Sequence, residues 1–231
     1  YYADLIRTFE LERVVLTADR AGIVTQEPVG VVGAIVPWNA PVTIASWKVA
    51  PALAAGCTVV LKPAPEAPLS NFVLAEALHE AGLPAGAFNV VPGGREVGEH
   101  LVAHPGTDKI AFTGSTAAGK RIMSVCGEQV KRVSLELGGK SAAIVLDDAD
   151  VPTVLPTLVG GAMHLSGQVC GAHTRVLLPR ARYDEAVEAA AAAAGRVAVG
   201  DPHDPETLVG PLVAERQRDR VEGYIGLAVE A

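Results

Sequence analysis

Aromatic side chains and basic charge are both scarce in this sequence. Phe, Trp and Tyr make up 4% of 231 residues, and 26 acidic side chains outnumber 19 basic ones, for a net charge of −7. The excess of acidic residues argues against a protein that binds nucleic acid or an anionic membrane. So few aromatic residues also argue against a platform on which bases stack. Hydrophobic residues reach 49%, which is enough for a packed core and excludes a wholly disordered chain.

Cysteine and histidine patterns that would hold a disulfide framework or a metal are also missing. The three cysteines, Cys57, Cys126 and Cys170, are widely spaced, and neither CxxC nor HExxH occurs. We therefore expect no structural zinc and no other metal site. Reduced thiols are typical of a cytoplasmic protein.

Long apolar runs and a leader sequence are absent as well. No run reaches the roughly 18 apolar residues of a membrane span, and the first residues lack a basic flank and an apolar core. The sequence starts with Tyr1 rather than Met, and it ends within a helical pattern over residues 213–231. We therefore expect it to begin inside a longer gene product and to be cut at its end.

Short apolar runs alternate with helical patterns along most of the chain. Runs with few polar residues indicate strands buried on both faces, and the alternation predicts a parallel, doubly wound α/β sheet. Residues 1–28 precede this sheet as the end of a helix and a hairpin-like arm. The sheet domain covers residues 29–138, and a second, incomplete α/β domain covers residues 139–231. Predicted strands are residues 31–36, 58–61, 88–91, 109–112, 133–137, 142–146 and 174–178.

Helical patterns separate these strands. Ser70 is the predicted N-cap of one helix, Gly82 lies just past the end of that helix, and Pro51 is predicted to bend or break another. The predicted helices are residues 43–55, 70–81, 96–103, 116–125, 151–165, 183–194 and 213–231.

A glycine-rich segment joins a predicted strand to a helix. Residues 114–119 (GSTAAG) followed by Lys120 nearly match the phosphate loop GxxxxGK[ST], but residue 121 is Arg, so the hydroxyl that would hold Mg²⁺ is missing. Proteins with a phosphate loop also have an apolar strand that ends in Asp, and residues 142–147 (AAIVLD) fit that pattern. A phosphate-loop nucleotide-binding protein is therefore one alternative, and a plain turn from strand to helix is another.

Cys170 differs from the other cysteines in its setting. It lies in a predicted loop between Gly167 and Gly171, where small neighbours leave room for a substrate. Most free cysteines are small buried hydrophobes, and Cys57 and Cys126 fit that description. Cys170 is a candidate nucleophile, with a structural cysteine as the alternative.

Glu136 and Asn39 lie at predicted strand ends, where open α/β sheets bind ligands. Glu136 stands in an otherwise apolar strand, either as an edge charge or as a partly buried carboxylate suited to proton transfer. Asn39 follows Pro37-Trp38, and its amide suits either donation to a developing oxyanion or an Asx turn before Pro41.

Several short motifs follow one another in a fixed order. They are Pro37-Trp38-Asn39, Trp47-Lys48 with residues 51–56 (PALAAG), Leu61-Lys62-Pro63, Phe112-Thr113-Gly114-Ser115, Glu136-Leu137-Gly138-Gly139-Lys140 and Gly167-Gln168-Val169-Cys170. In this order the motifs closely resemble those of the aldehyde dehydrogenase superfamily over residues 10–231. The resemblance also accounts for the near-miss phosphate loop as the family's turn at residues 114–119.

The resemblance implies oxidation of an aldehyde to a carboxylic acid with NAD or NADP, through a cysteine thiohemiacetal and a thioester. By this resemblance Cys170 is the nucleophile, Glu136 the general base and Asn39 the oxyanion donor. It also implies a dinucleotide-binding role for residues 29–138, a thiol-bearing catalytic role for residues 139–231, and a homo-oligomer, a dimer or a tetramer. The residues implied for the cofactor are Val36, Pro37, Trp38, Lys62, Ala64, Gly98, Phe112, Thr113, Gly114, Ser115, Ala118 and Leu137.

The sequence departs from the family pattern in two ways. Many NAD-preferring members carry Glu three residues after the lysine that matches Lys62, whereas this chain has Pro65 there and Glu66 next. The choice between NAD and NADP is therefore open. Family members are also roughly twice as long, which makes a non-catalytic fragment a further alternative. The sequence does not identify the aldehyde.

Overall fold

The structure, a computed structural model, describes residues 1–230. The chain divides into two compact units, Tyr1–Leu137 and a second that begins at Gly138. The first unit opens with helix α1 (Tyr2–Thr8) and the antiparallel strands β1 (Glu12–Leu16) and β2 (Ala21–Thr25). The hairpin predicted within residues 13–28 is thus confirmed.

A five-stranded parallel sheet forms the centre of the first unit, with strand order β5-β4-β3-β6-β7. From β3 the chain passes to β4 and β5 on one side, and β6 and β7 lie on the other side. The doubly wound α/β fold is therefore confirmed. The strands are β3 (Val31–Ile35), β4 (Thr58–Lys62), β5 (Phe88–Val90), β6 (Lys109–Gly114) and β7 (Arg132–Leu137), and the helices that connect them are α2 (Pro41–Ala54), α3 (Leu69–Glu80), α4 (Arg95–Ala103) and α5 (Thr116–Glu128).

Separate apolar clusters cover the two faces of this sheet. Successive residues of a strand point to opposite faces, so Val32 and Ala34 of β3 pack with residues of α2, whereas Ile35 packs with residues of α4 and α5. In β6, Ala111 joins the first cluster and Phe112 joins the second. Burial on both faces explains why these strands are apolar runs rather than alternating sequences.

Two helices differ in detail from the sequence prediction. Helix α3 begins at Leu69 with Pro68 in the N-cap position, so the predicted capping role of Ser70 is wrong. A proline suits a helix start because its missing N–H has no partner there in any case. Helix α2 runs unbroken through Pro51. Gly82 follows α3 with φ of +83°, the left-handed conformation in which glycine ends helices.

The second unit contains a parallel pair of short strands and three longer helices. The helices α6 and α7 pack against each other through Val151, Leu155 and Ala186. A short left-handed turn over residues 165–167 follows α6 and leads to the turn that contains Cys170. The elements are β8 (Ala142–Ile144), α6 (Val151–Met163), β9 (Arg175–Leu177), α7 (Tyr183–Ala194) and α8 (Glu215–Glu230). No helix within residues 1–230 combines the length and the apolar character needed to cross a membrane.

Candidate functional site

The strand order of the large sheet reverses between β3 and β6. Ile35 at the end of β3 pairs with Lys62 of β4 on one side and with Phe112 of β6 on the other. The connecting helices diverge to opposite faces at such a point, and open α/β sheets bind their ligands at the carboxyl ends of the strands there. The topology thus places Pro37 and Thr113, two of the predicted cofactor residues, at the edge where open α/β sheets bind ligands.

Several residues of the predicted cofactor set are part of the core. Val36 and Phe112 are 2% and 7% exposed and pack in the clusters on opposite faces of the sheet. Ala64 is also buried, whereas Pro37 and Trp38 are half-buried. Any contact from Val36, Ala64 or Phe112 to a ligand would therefore come mainly from the main chain.

Ser115 caps helix α5 at the end of β6. Its Oγ accepts a hydrogen bond from the Ala118 N–H at 3.3 Å. Strand β6 ends at Gly114 and the helix begins at Thr116, so the segment that nearly matched a phosphate loop is mostly helical. A phosphate loop instead needs several non-helical residues that wrap around the phosphates. The geometry contradicts the phosphate-loop alternative and leaves a helix N-terminus, which favours anions.

Leu137, the last residue of β7, lies tightly against helix α5. A Cβ added to Gly119 would lie 2.7 Å from Leu137 Cδ2, which is too close for two carbon atoms. Gly119 therefore allows the first turn of α5 to lie close to the end of β7.

The hydroxyl of Thr113 is buried at the carboxyl end of β6. Its Oγ1 has no hydrogen-bond partner among residues 1–230. Buried hydroxyl groups are nearly always hydrogen-bonded, so an unpartnered one at a ligand-binding edge fits a site for a polar ligand. Thr113 pairs in register with Glu136 of β7.

Lys62 is a buried lysine at the end of β4, with 6% of its surface exposed. Its Nζ donates a hydrogen bond to the Pro63 carbonyl at 2.9 Å. Burial lowers the pKa of Lys62, and the carboxylate of Glu96 opposes that shift. A Cβ added to Gly98 would lie 3.4 Å from Lys62 Cδ, an ordinary van der Waals contact, so Gly98 of α4 lies directly beside the stem of this side chain.

Glu136 lies on β7, the edge strand of the sheet, with its side chain exposed between the half-buried Leu135 and Leu137. This placement matches the edge-charge alternative. The carboxylate acts electrostatically on Lys48 of α2, because burial lowers the pKa of Lys48 and Glu136 opposes that shift.

Asn39 lies half-buried in the bend between β3 and α2. Ala40 is the N-cap residue of α2, and Pro41 is its first residue. Asn39 therefore precedes the cap, on the segment that leaves the carboxyl end of β3.

Cys170 is exposed, in contrast to Cys57 and Cys126, which are buried as predicted. Burial raises the pKa of the Cys126 thiol, which disfavours the reactive thiolate there. Cys170 belongs to the second unit, whereas Asn39 and Glu136 belong to the first. Residues 1–230 contain no group of three or more His, Cys, Asp or Glu side chains placed to hold a metal ion.

Comparison with known proteins decides the family. The model of the aldehyde dehydrogenase family matches residues 1–231. The chain belongs to this family. Geranial dehydrogenase of Castellaniella defragrans is 50% identical to the chain over 228 residues, which cover 98% of this chain and 48% of the relative.

Solved aldehyde dehydrogenases have the same fold. The Mycobacterium tuberculosis aldehyde dehydrogenase complexed with NAD⁺ has a TM-score of 0.97 and 47% identity, covering 100% of this chain and 48% of that chain. A mutant of Pseudomonas syringae aldehyde dehydrogenase C, in complex with NAD⁺ and octanal, has a TM-score of 0.93 and 42% identity, covering 99% and 46%. The chain thus spans about half the length of these aldehyde dehydrogenases.

The sequence alone predicts no role for Lys48, which the fold brings within electrostatic reach of Glu136. It occurs in the motif Trp47-Lys48, inside the largely apolar helix α2. A single ionisable residue in an apolar helix is a signal of a buried charge with a partner. The partner, Glu136, follows only from the fold.

Proposed function

We propose that the chain forms the cofactor-binding and thiol-bearing parts of an NAD(P)-dependent aldehyde dehydrogenase. The observation that carries this proposal is the selective exposure of Cys170 beside two buried cysteines in the same chain. A nucleophile must be reachable by its substrate, and the position of Cys170 matches that of the family's nucleophile.

The carboxyl edge of the large sheet fits a dinucleotide. Lys62 would bind the adenosine ribose, and Ser115 with the N-terminus of α5 would bind the pyrophosphate. Pro37, Trp38 and Leu137 would line the groove. The buried hydroxyl of Thr113 and the cationic Lys62 at this edge support the assignment. When bound, the nicotinamide dinucleotide would supply the acceptor for the hydride lost from the former aldehyde carbon.

The side chains of this protein would carry out the remaining steps. The Cys170 thiolate adds to the aldehyde carbonyl and gives a thiohemiacetal, whose oxyanion accepts hydrogen bonds from the Asn39 amide and the Cys170 N–H. Loss of hydride leaves a thioester on Cys170. Glu136 takes a proton from water, and the resulting attack releases the carboxylic acid and regenerates the thiolate.

The choice of coenzyme depends on the segment after Lys62. Pro65 is exposed and Glu66 is half-buried. Proline cannot accept a hydrogen bond from the ribose hydroxyls and cannot repel a 2′-phosphate, so we propose that both NAD and NADP are used. The relatives whose structures contain NAD⁺ support use of NAD.

Geranial and octanal appear in the names and complexes of two relatives, so apolar aldehydes are the first substrates to test. We also propose a cytoplasmic homo-oligomer, a dimer or a tetramer, which light scattering on the purified protein would measure.

The proposal is tested by cysteine replacement in the full-length protein, with reduced nicotinamide followed by absorbance. Cys170→Ala should abolish oxidation of a panel of aldehydes, whereas Cys57→Ala and Cys126→Ala should retain it. Normal turnover by a well-folded Cys170→Ala protein would overturn the assignment. Intact mass of the purified protein would show whether this chain is accompanied by further residues, and so test the alternative of a non-catalytic fragment.

A further inference from the structure

The chain leaves helix α6 through a left-handed turn. Leu165, Ser166 and Gly167 have φ angles of +50°, +59° and +74°. Residues other than glycine seldom adopt this region, because their Cβ crowds the main chain. Such conformations persist only where surrounding contacts hold them, and they are concentrated at functional sites. The Leu165–Gly167 turn directly precedes the segment that carries Cys170.

Two side chains hold this turn. The Ser166 hydroxyl donates a hydrogen bond to the Gly210 carbonyl at 2.9 Å. The Gln168 amide donates through Nε2 to the Leu165 carbonyl at 2.9 Å, and its Oε1 accepts from the Val213 N–H at 3.2 Å. Gln168 therefore uses both ends of its amide, one on the left-handed turn and one on the segment around Val213.

The thiol follows in a second turn. The Ala172 N–H donates to the Val169 carbonyl at 3.3 Å, which places Cys170 at the first central position of this turn. Gln168 is the residue between the two turns. Its main-chain N–H also donates to the Leu165 carbonyl, at 3.1 Å. The side chain and the main chain of Gln168 therefore both fix the start of the turn that contains Cys170.

We infer that Ser166 and Gln168 are positioning residues for the Cys170 thiol. They tie the left-handed turn to the Gly210–Val213 segment, and this fixes the path of the main chain into the Cys170 turn. The inference rests on the proposed function, in which Cys170 is the nucleophile. Attack on a carbonyl requires the sulfur and the donors to the oxyanion to be placed within a fraction of an ångström.

Three variants separate the effect of the hydrogen bonds from that of backbone strain. Ser166→Gly removes the hydroxyl, and glycine adopts a φ of +59° without strain, so a loss in this variant does not come from backbone strain. Gln168→Met removes both amide contacts at similar length. Gln168→Glu keeps the acceptor for Val213 but replaces the donor with a carboxylate oxygen that repels the Leu165 carbonyl, so it tests the bond to Leu165 alone and should also slow the burst.

The measurements separate positioning from folding and from cofactor binding. In Ser166→Gly and Gln168→Met, we expect the pre-steady-state burst of reduced nicotinamide to slow by about tenfold to hundredfold, the scale of a reacting group misplaced by about 1 Å. The rate at which iodoacetamide alkylates Cys170 without cofactor, measured by mass spectrometry, should differ from the wild-type rate in both variants. The Kd for NAD⁺ and the far-UV circular dichroism should stay at wild-type values.

Two control variants test whether the effect is specific to the hydrogen bonds of Ser166 and Gln168. Gln129→Met removes a comparable bond in the first unit, from Gln129 Nε2 to the Ala103 carbonyl at 3.1 Å, and should leave the burst unchanged. Leu165→Asn keeps the main-chain bonds in a residue that tolerates the left-handed region, and should behave as wild type.

The outcomes distinguish failure of this inference from failure of the proposed function. Wild-type burst and alkylation rates in Ser166→Gly and Gln168→Met would overturn the positioning role, even if Cys170→Ala is inactive. An equal loss in Gln129→Met, or a loss of NAD⁺ affinity that matches the loss of burst, would also overturn it. Full turnover by Cys170→Ala would overturn the proposed function, while the alkylation rates would still decide whether the two side chains set the position of this thiol.

Discussion

The carboxylate of Glu136 at the end of β7 stabilises the protonated form of Lys48 on helix α2. Burial of Lys48 lowers its pKa, and Lys109 lowers it further, while Glu136 opposes both. Lys109 and Glu136 come from neighbouring strands, and the alternation of side chains along β6 and β7 puts both on the sheet face that α2 covers. A proposed general base thus has a half-buried cation as an electrostatic partner.

Glu136→Gln should therefore lower the pKa of Lys48 further. Loss of the negative charge removes the contribution that favours the ammonium, while burial and Lys109 still favour the neutral amine. Competitive acetylation across a pH series, read by mass spectrometry at Lys48, measures this pKa. The burial of Lys48 calls for small reagents and short exposures.

A second carboxylate provides the control for that measurement. Glu96 opposes the lowered pKa of Lys62 in the same manner, so Glu96→Gln should lower the pKa of Lys62 and leave that of Lys48 unchanged. A Lys48 that titrates in Glu136→Gln as it does in the wild type would contradict the electrostatic coupling.

Glu136→Gln should also separate the two halves of the proposed reaction. If Glu136 serves deacylation, a stoichiometric first burst of reduced nicotinamide remains while steady turnover falls, because no carboxylate takes the proton from water. The acylated Cys170 would then accumulate and be visible by mass. Loss of the burst without an acyl adduct would instead assign Glu136 to activation of the thiol.

Asn39→Ala should lower the rate of aldehyde oxidation by about 10² to 10³, the usual effect of removing one oxyanion donor. The Kd for the cofactor should change little. Asn89→Ala is a matched control, since it also removes an amide, one that donates to the Gly86 carbonyl at 2.8 Å. An Asn39→Ala effect confined to cofactor affinity would move this residue into the nucleotide site.

The sequence predicted the elements of the large sheet closely, and the reason lies in particular residues. Burial on both faces made β3 and β6 apolar runs, and the glycine after α3 marked its end. The start of α3 was misassigned because Ser70 has the chemistry of an N-cap, whereas Pro68 already supplies the backbone conformation for the first turn. Local propensity could not separate these two starts.

Other features depend on tertiary structure and could not be predicted. The pairing of Thr113 with Glu136 follows from the order of parallel strands, which short apolar runs do not specify. The left-handed conformations of Leu165 and Ser166 carry no glycine signal, because contacts to Gly210 and Val213, distant in sequence, hold them. The candidate roles of Cys170 and Glu136, by contrast, were predicted from the order of the motifs alone.

Pro65 should influence the choice of coenzyme, because it stands where many NAD-preferring relatives carry an acid. Wild-type protein should bind NAD and discriminate only weakly against NADP. Lys62 lies three residues before Pro65, and its ammonium acts as a point charge toward a 2′-phosphate. The half-buried Glu66 would oppose NADP only if its carboxylate faces the ribose.

Pro65→Glu should raise the Kd for NADP relative to that for NAD by about tenfold, because a carboxylate accepts bonds from the ribose hydroxyls and repels the 2′-phosphate. Titration calorimetry with both cofactors measures the ratio. Pro84→Glu adds the same charge at another exposed proline and should leave the ratio unchanged. If the wild type already excludes NADP, or if Pro65→Glu leaves the ratio as it was, Pro65 is not the determinant and Glu66 becomes the residue that selects the coenzyme.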